Sequence, residues 1–179
     1  MHQDVKEVLV SEAAIIERCK ELGHIVNDFY RDYERMPLLV AILKGSIPFL
    51  SELMKHIDLD IEIDFMDVSS YEGTESIGDV RIIKDLNQSI KGLPILLVED
   101  IVDTGRTIQE VKRLLFNKGA SEVKIITLLD KPSRRLIDID ADFVGFEIPN
   151  EFVIGFGLDF NEKYRNLPYV GILKDEFYK

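Results

Sequence analysis

The sequence predicts an α/β fold, a mainly parallel twisted sheet flanked by helices. Three observations predict it. The runs "PLLVAIL" (37–43), "LPILLV" (93–98) and "VKIITLL" (123–129) are apolar without alternation, as strands covered on both faces are. Between them lie stretches with apolar residues at helical spacing. A strand, helix, strand order needs crossover connections, and these suit parallel pairing.

Each element follows in chain order. Residues 11–29 place Ile15, Cys19, Leu22, Ile25, Val26 and Phe29 on one helical stripe, with Ser11 as N-cap. After the strand at 37–43, "KGS" turns the chain. Ser46 is expected to cap a second helix with Pro48 near its start and Phe49, Leu50, Leu53, Met54 and Ile57 inward. "DIEIDFMDVSSY" (60–71) alternates as a half-exposed strand does. The polar "EGTESIGD" then leads to "VRIIKDL", so the two extended runs form a flexible antiparallel arm. Residues 107–117 carry Ile108, Val111, Leu114 and Leu115 on one helix face, ended by Gly119. "DFVGFEI" (142–148) is a further strand, and "FVIGFGLDF" and "YVGIL" close the chain. Ligands of such sheets bind beyond the carboxyl ends of the strands, here the loops after Leu43, Val98, Leu129 and Ile148.

The 179 residues suit one domain, 1–179. A hydrophobic fraction of 46% with 31% charged residues is that of an ordinary water-soluble protein. The net charge of −11 argues against nucleic-acid or anionic-membrane binding, though not against a small basic pocket. No apolar run is long enough for a membrane span, and "MHQDVKEVLV" is not expected to be a signal peptide. The single cysteine, Cys19, cannot form an internal disulfide, and its place on the apolar stripe marks it as a buried thiol. A cytoplasmic location is expected.

"ILLVEDIVDTGRT" (95–107) carries the chemistry. Glu99 and Asp100 stand where a buried strand emerges, and Asp103, Thr104, Gly105, Arg106 and Thr107 lead into a helix. A helix start preceded by small residues offers free N–H groups to a phosphate. Carboxylates beside it would repel a bare phosphate. They fit a ligand that also carries a diol and a divalent metal, because paired carboxylates accept from vicinal hydroxyls or bind Mg²⁺. An isolated D-T-G triplet is more often a helix cap, and an aspartic-protease dyad does not suit the helix that follows. Neither a dinucleotide fingerprint nor a G-x-x-x-x-G-K-[ST] loop is present.

"VEDIVDTGRT" resembles the phosphoribosyl-pyrophosphate (PRPP) motif of type I phosphoribosyltransferases. With "LKGS" (43–46), "DKPSRR" (130–135) and the stretch 142–173, the chain resembles the hypoxanthine-guanine phosphoribosyltransferase family in its short bacterial form. The resemblance implies the type I fold, with a small hood from about residues 1–10 and 149–179. It implies that Glu99 and Asp100 hold the ribose hydroxyls and metal, and that residues 103–107 hold the 5′-phosphate. Arg106 stands where many relatives have lysine. Lys44 and Gly45 match the pyrophosphate loop, often with a cis peptide before the lysine, and Arg165 matches a second pyrophosphate clamp. Lys131 matches the residue that donates to the purine 6-oxygen, and Phe152 and Val153 the pair that lines the base. Asp159 matches an acidic residue serving metal and base. Ser70 and Tyr71 match the lid pair. Arg135 aligns with an arginine near the phosphate loop or subunit interface.

The implied reaction is Mg²⁺-dependent transfer of the phosphoribosyl group from PRPP to N9 of hypoxanthine or guanine, giving IMP or GMP and pyrophosphate. Asp103 is the implied general base at purine N7. A homo-oligomer, dimer or tetramer, is implied as well. Two alternatives stay open: a phosphoribosyltransferase for another base, such as xanthine, and a noncatalytic PRPP-binding regulator.

Overall fold

The structure, a computed structural model, describes residues 1–70 and 80–178. Its strands and helices are, in order, β1 (Val5–Val10), α1 (Glu12–Tyr30), β2 (Leu38–Leu43), α2 (Ile47–Leu53), β3 (Glu62–Ser70), β4 (Val80–Lys84), β5 (Pro94–Val102), α3 (Arg106–Asn117), β6 (Glu122–Asp130), β7 (Phe143–Glu147), β8 (Val153–Ile154) and β9 (Val170–Leu173). The main sheet has six strands in the order β4-β3-β2-β5-β6-β7. All of its pairings are parallel except β3 with β4.

Unbroken apolar strands bury both faces. Leu39, Ala41, Leu96, Val98, Ile126 and Leu128 pack with α1 and α2 on one side. Their neighbours Leu38, Val40, Ile42, Ile95, Leu97 and Ile125 pack with α3 on the other. Side chains alternate across a strand, so each residue goes to one layer or the other. Each fully buried Leu or Ile contributes about 1.5–3 kcal/mol. α1 starts where expected: the Ser11 hydroxyl accepts from the Ala14 N–H at 3.2 Å.

Four details differ from the sequence expectations. Ser46 does not cap α2; its buried hydroxyl donates to the Ile42 carbonyl instead. Ile25, Phe29 and Met54 are exposed, and Tyr30 is buried in the α1 stripe. β5 does not end at Val98 but runs through Glu99 and Asp100 to Val102, because β6 continues beside it and pairs Glu99 with Thr127. The N-terminal segment, not foreseen as a strand, forms β1 and pairs with β9, which also pairs with β8. This three-stranded sheet buries Val5, Ile154 and Leu173 beside Phe152, Phe160 and Tyr178.

β2 has β3 on one side and β5 on the other, so the chain order reverses between β2 and β5. Such a switch point opens a crevice at the strand ends.

Candidate active site

The crevice is walled by the end of β5 and the loop into α3. A cavity of about 220 Å³ is lined by Glu99, Asp100, Ile101, Val102, Asp103, Thr104, Gly105, Thr107 and Ile108. Gly105 stands at the N-cap of α3 with φ +84°, a conformation that disfavours a side chain. A Cβ there would also meet Ile139 at 2.7 Å. The helix start lines the cavity through Gly105, Thr107 and Ile108, and its first N–H, that of Arg106, has only the long contact to Thr104 Oγ1 at 3.5 Å. The Thr104 carbonyl accepts from the Leu136 N–H at 3.0 Å, which ties the loop down from behind. Arg135 adds to that tie: it donates to the carbonyls of Val102 and Asp103 at 3.1 and 2.6 Å and pairs with Asp130.

The two adjacent carboxylates are unlike ordinary surface acids. Glu99 Oε2 is buried with no partner. Burial, and then the Asp100 charge, push the Glu99 carboxyl well above the usual range. Burial pushes Asp100 up to about 6, against the Ile101 N–H bond and the Arg165 charge. An orphaned buried oxygen costs about 1–3 kcal/mol. It marks a place built for a partner, and hard oxygen donors of this kind suit Mg²⁺ or sugar hydroxyls. The expected metal set of Glu99, Asp100 and Asp159 is not gathered into one cluster. Among the described residues no group of three or more acidic, histidine or cysteine side chains could hold a metal ion. Asp159 instead spends its oxygens on Arg165 (3.0 Å) and the Glu162 N–H (2.9 Å). Mg²⁺ commonly takes only one or two carboxylates plus substrate oxygens, so Glu99 and Asp100 still fit it.

Asp103 follows β5, and its Oδ1 lies 3.1 Å from Arg134 Nε. That contact is an ion pair without hydrogen-bond alignment, since Oδ1 lacks a hydrogen-bond partner. Arg106 opens α3, with its N–H toward Thr104 Oγ1 at 3.5 Å.

Lys131 follows β6, where its N–H donates to the Val102 carbonyl at 3.0 Å. Only 5% of it is exposed. Its ammonium has no hydrogen bond or ion pair among the described residues. Burial lowers its proton affinity, with Asp103 opposing. Nζ is not among the fully buried atoms that lack a partner, so the ammonium keeps contact with solvent at the cleft, where a ligand oxygen would replace water.

Lys44 follows β2, after a cis Leu43–Lys44 peptide. Gly45 lies against Asp100: a Cβ on Gly45 would stand 1.6 Å from Asp100 Oδ2. Gly157 (φ +99°) covers the other side, and a Cβ there would stand 1.9 Å from the Gly45 carbonyl. Arg165 donates to the Gly157 carbonyl at 2.8 Å, while its Nε is buried and unpartnered. Phe152 stacks on Tyr178 with ring centroids 4.9 Å apart, and Val153 is buried in β8. Ser70 ends β3; Tyr71 lies outside the described residues.

The structure thus brings the ends of β2, β5 and β6 together with the loop 155–165. Sequence reasoning missed Gly157, Glu162, Arg134 and Tyr178. The closely spaced glycines of "GFG" were the one available signal, for Gly157. The other three act through partners distant in sequence or through a neighbouring turn.

The family model of the phosphoribosyl transferase domain matches residues 12–161. The chain is 57% identical to a hypoxanthine-guanine phosphoribosyltransferase of Lactococcus lactis, over 97% of this chain and 94% of the relative. It superposes on a crystal structure of a hypoxanthine phosphoribosyltransferase from Staphylococcus aureus with TM-score 0.92 and 53% identity, covering 100% of this chain and 97% of that one. A hypoxanthine phosphoribosyltransferase from Trypanosoma cruzi, solved with the product IMP, is similar at TM-score 0.94 and 35% identity, with 99% of each chain covered.

Proposed function

Because this chain belongs to the hypoxanthine-guanine phosphoribosyltransferase family, we propose that it transfers the phosphoribosyl group of PRPP to N9 of a 6-oxopurine in purine salvage. The observation that carries this reading is the cleft at residues 99–108, lined both by Glu99, one of whose oxygens is buried without a partner, and by the start of α3. A phosphate alone would not need the carboxylates, and a metal alone would not need the helix start.

The loop 103–107 holds the 5′-phosphate by backbone N–H groups and the hydroxyls of Thr104 and Thr107. Glu99 and Asp100 accept from the ribose hydroxyls and hold Mg²⁺ together with substrate oxygens. When bound there, Mg²⁺ would supply positive charge beside the leaving pyrophosphate. Lys44 and Arg165 share that task at the far side of the reacting carbon, and the buried Arg165 Nε is a donor in reserve. N9 of the base attacks the anomeric carbon, the carbon–oxygen bond to pyrophosphate breaks, and configuration inverts. Asp103 takes the proton from N7.

Lys131 reads the base. An ammonium only donates, so it accepts a 6-oxo partner and not the 6-amino group of adenine. Phe152, backed by Tyr178, provides a stacking face, and the Val153 backbone reads the base edge. Asp159 supports this wall through Arg165. Ser70 and Tyr71 act as the lid pair. The hood comprises the small sheet of β1, β9 and β8 and the loop between β8 and β9.

No helix among the described residues is long and apolar enough to cross a membrane. A cytoplasmic homo-oligomer is the expected form, acting on PRPP and purines without nucleic acid or membrane. The test is pyrophosphate release from PRPP and Mg²⁺ with hypoxanthine, guanine, xanthine or adenine in turn. Release with hypoxanthine and guanine supports the reading; release with xanthine alone would assign the other base, and PRPP binding without turnover a regulator.

A further inference from the structure

Glu162 stands between the two cations assigned to pyrophosphate. Its Oε2 lies 3.0 Å from Lys44 Nζ, and its Oε1 lies 3.3 Å from an Arg165 amino group. Lys44 comes from the loop after β2 and Arg165 from the loop before β9, so one carboxylate bridges two distant parts of the chain. The bridge is placed by the local backbone. Glu162 has φ +63° and its neighbour Asn161 φ +52°, both in the left-handed region. The Glu162 N–H donates to Asp159 Oδ2 at 2.9 Å, and the other Asp159 oxygen pairs with Arg165 at 3.0 Å. The same acid therefore fixes the turn that carries Glu162 and the arginine that Glu162 meets.

We propose that Glu162 is an internal competitor for the pyrophosphate subsite, an anion built into the chain that holds Lys44 and Arg165 between turnovers and displaces the leaving product. This deepens the reading above and rests on Lys44 and Arg165 being the pyrophosphate clamp. The geometry suits exchange. The carboxylate is 66% exposed, so it can swing away without breaking packing. Hydrogen bonding to Lys44, then the Lys44 and Arg165 charges, hold it below the usual carboxylate range, so it stays anionic at neutral pH. Exposed ion pairs are weak, and a product with several negative oxygens outbids one carboxylate when it is abundant. At low product concentration the tethered carboxylate has the advantage of being always present.

A purely structural salt bridge predicts the opposite sign. If Glu162 only braced the loop, its loss would loosen the clamp and weaken pyrophosphate binding. Competition predicts tighter binding when the carboxylate is neutralised.

The test is product inhibition by magnesium pyrophosphate against PRPP in the full chain, for the wild type, Glu162→Gln, Lys44→Ala and the double variant. Glu162→Gln is expected to lower the pyrophosphate inhibition constant about threefold to tenfold, the scale of two exposed ion pairs, and to lower the KM for PRPP in the same direction. Lys44→Ala is expected to weaken inhibition, and on that background the Glu162→Gln gain should shrink. If Lys44→Ala weakens inhibition but Glu162→Gln leaves it unchanged or weakens it, the competitor role is wrong while the clamp survives. If Lys44→Ala leaves inhibition intact, the clamp assignment fails and the competitor role goes with it.

Discussion

The Asp100 carboxylate occupies the space that a side chain on Gly45 would need, with Oδ2 only 1.6 Å from the Cβ position. The loop after β2 and the end of β5 are thus fitted to each other at the switch point of the sheet. An alanine at Gly45 would force the Asp100 side chain to turn away, which a side-chain tip can do without unfolding the sheet. Gly45→Ala is therefore expected to lower kcat/KM for PRPP by about 100-fold, as misplacement of a binding group does, with little change in Tm. A large fall in Tm with kcat/KM retained in the folded fraction would contradict this.

Asp103→Asn keeps the size of the side chain and removes its basicity. Loss of a general base costs about 10²–10⁴-fold in rate. The fall is expected in kcat, with the KM for PRPP changed much less, because the 5′-phosphate is proposed to bind backbone N–H groups of the loop. Steady-state kinetics with hypoxanthine would check it, and an unchanged kcat would remove Asp103 from the proton transfer.

Lys131 is 5% exposed, and burial lowers the proton affinity of its ammonium, with Asp103 opposing. Lys131→Met should therefore stabilise the ligand-free protein by about 1–2 kcal/mol while removing the donor to the purine 6-oxygen. The expected outcome is a higher Tm with loss of preference for 6-oxopurines over adenine. A lower Tm would mean that the ammonium has a stabilising partner, and retained preference would mean that another group reads the oxygen.

Asp100 gives the pH dependence. Its carboxyl is pushed from 3.8 to about 6, chiefly by burial. A raised value means that the folded state holds the proton more tightly than the unfolded chain. The contribution is present in full below about pH 4, falls as pH rises toward 6 and is gone above it; the shift corresponds to up to about 3 kcal/mol. Glu99 shifts in the same direction. Two comparisons by denaturant unfolding at constant ionic strength check this. Asp100→Asn should stabilise the ligand-free protein at pH 7.5 and much less at pH 4.5. Magnesium with PRPP should stabilise the wild type more at pH 7.5 than at pH 5, because the ligand needs the charged carboxylates. Equal effects at both pH values would count against a buried, strained Asp100.

The central sheet and the cleft-lining loop after β5 were legible because their signals are local. Residues 37–43, 93–98 and 123–129 are apolar enough to announce buried strands, and the acidic pair, threonines and glycine of 99–107 lie in one short stretch. What escaped depends on partners far along the chain. Val5–Val10 becomes a strand only because Val170–Leu173 pairs with it, and Phe152 acquires its Tyr178 neighbour only when the last turn folds back. Glu162 meets Lys44 across 118 positions, which no spacing rule near either residue discloses. Ser46 does not cap α2 because its buried hydroxyl donates to the Ile42 carbonyl instead of accepting from an N–H of the helix. Charge at 99–100 suggests exposure and an end to β5, whereas the ladder to β6 carries the strand through Glu99 and Asp100 to Val102.

In the small sheet β9 lies between β1 and β8, and its Leu173 N–H bonds the Phe152 carbonyl at 2.9 Å. Of these three strands the one made last thus joins the first to the segment proposed to line the base. A nascent chain halted before Val170 can complete the six-stranded sheet and the phosphate cleft, yet β1 and β8 then share no neighbour. Such a fragment would retain the contacts proposed for a sugar phosphate and lack an ordered seat for the purine, so nucleobase recognition waits until Val170–Leu173 has been made.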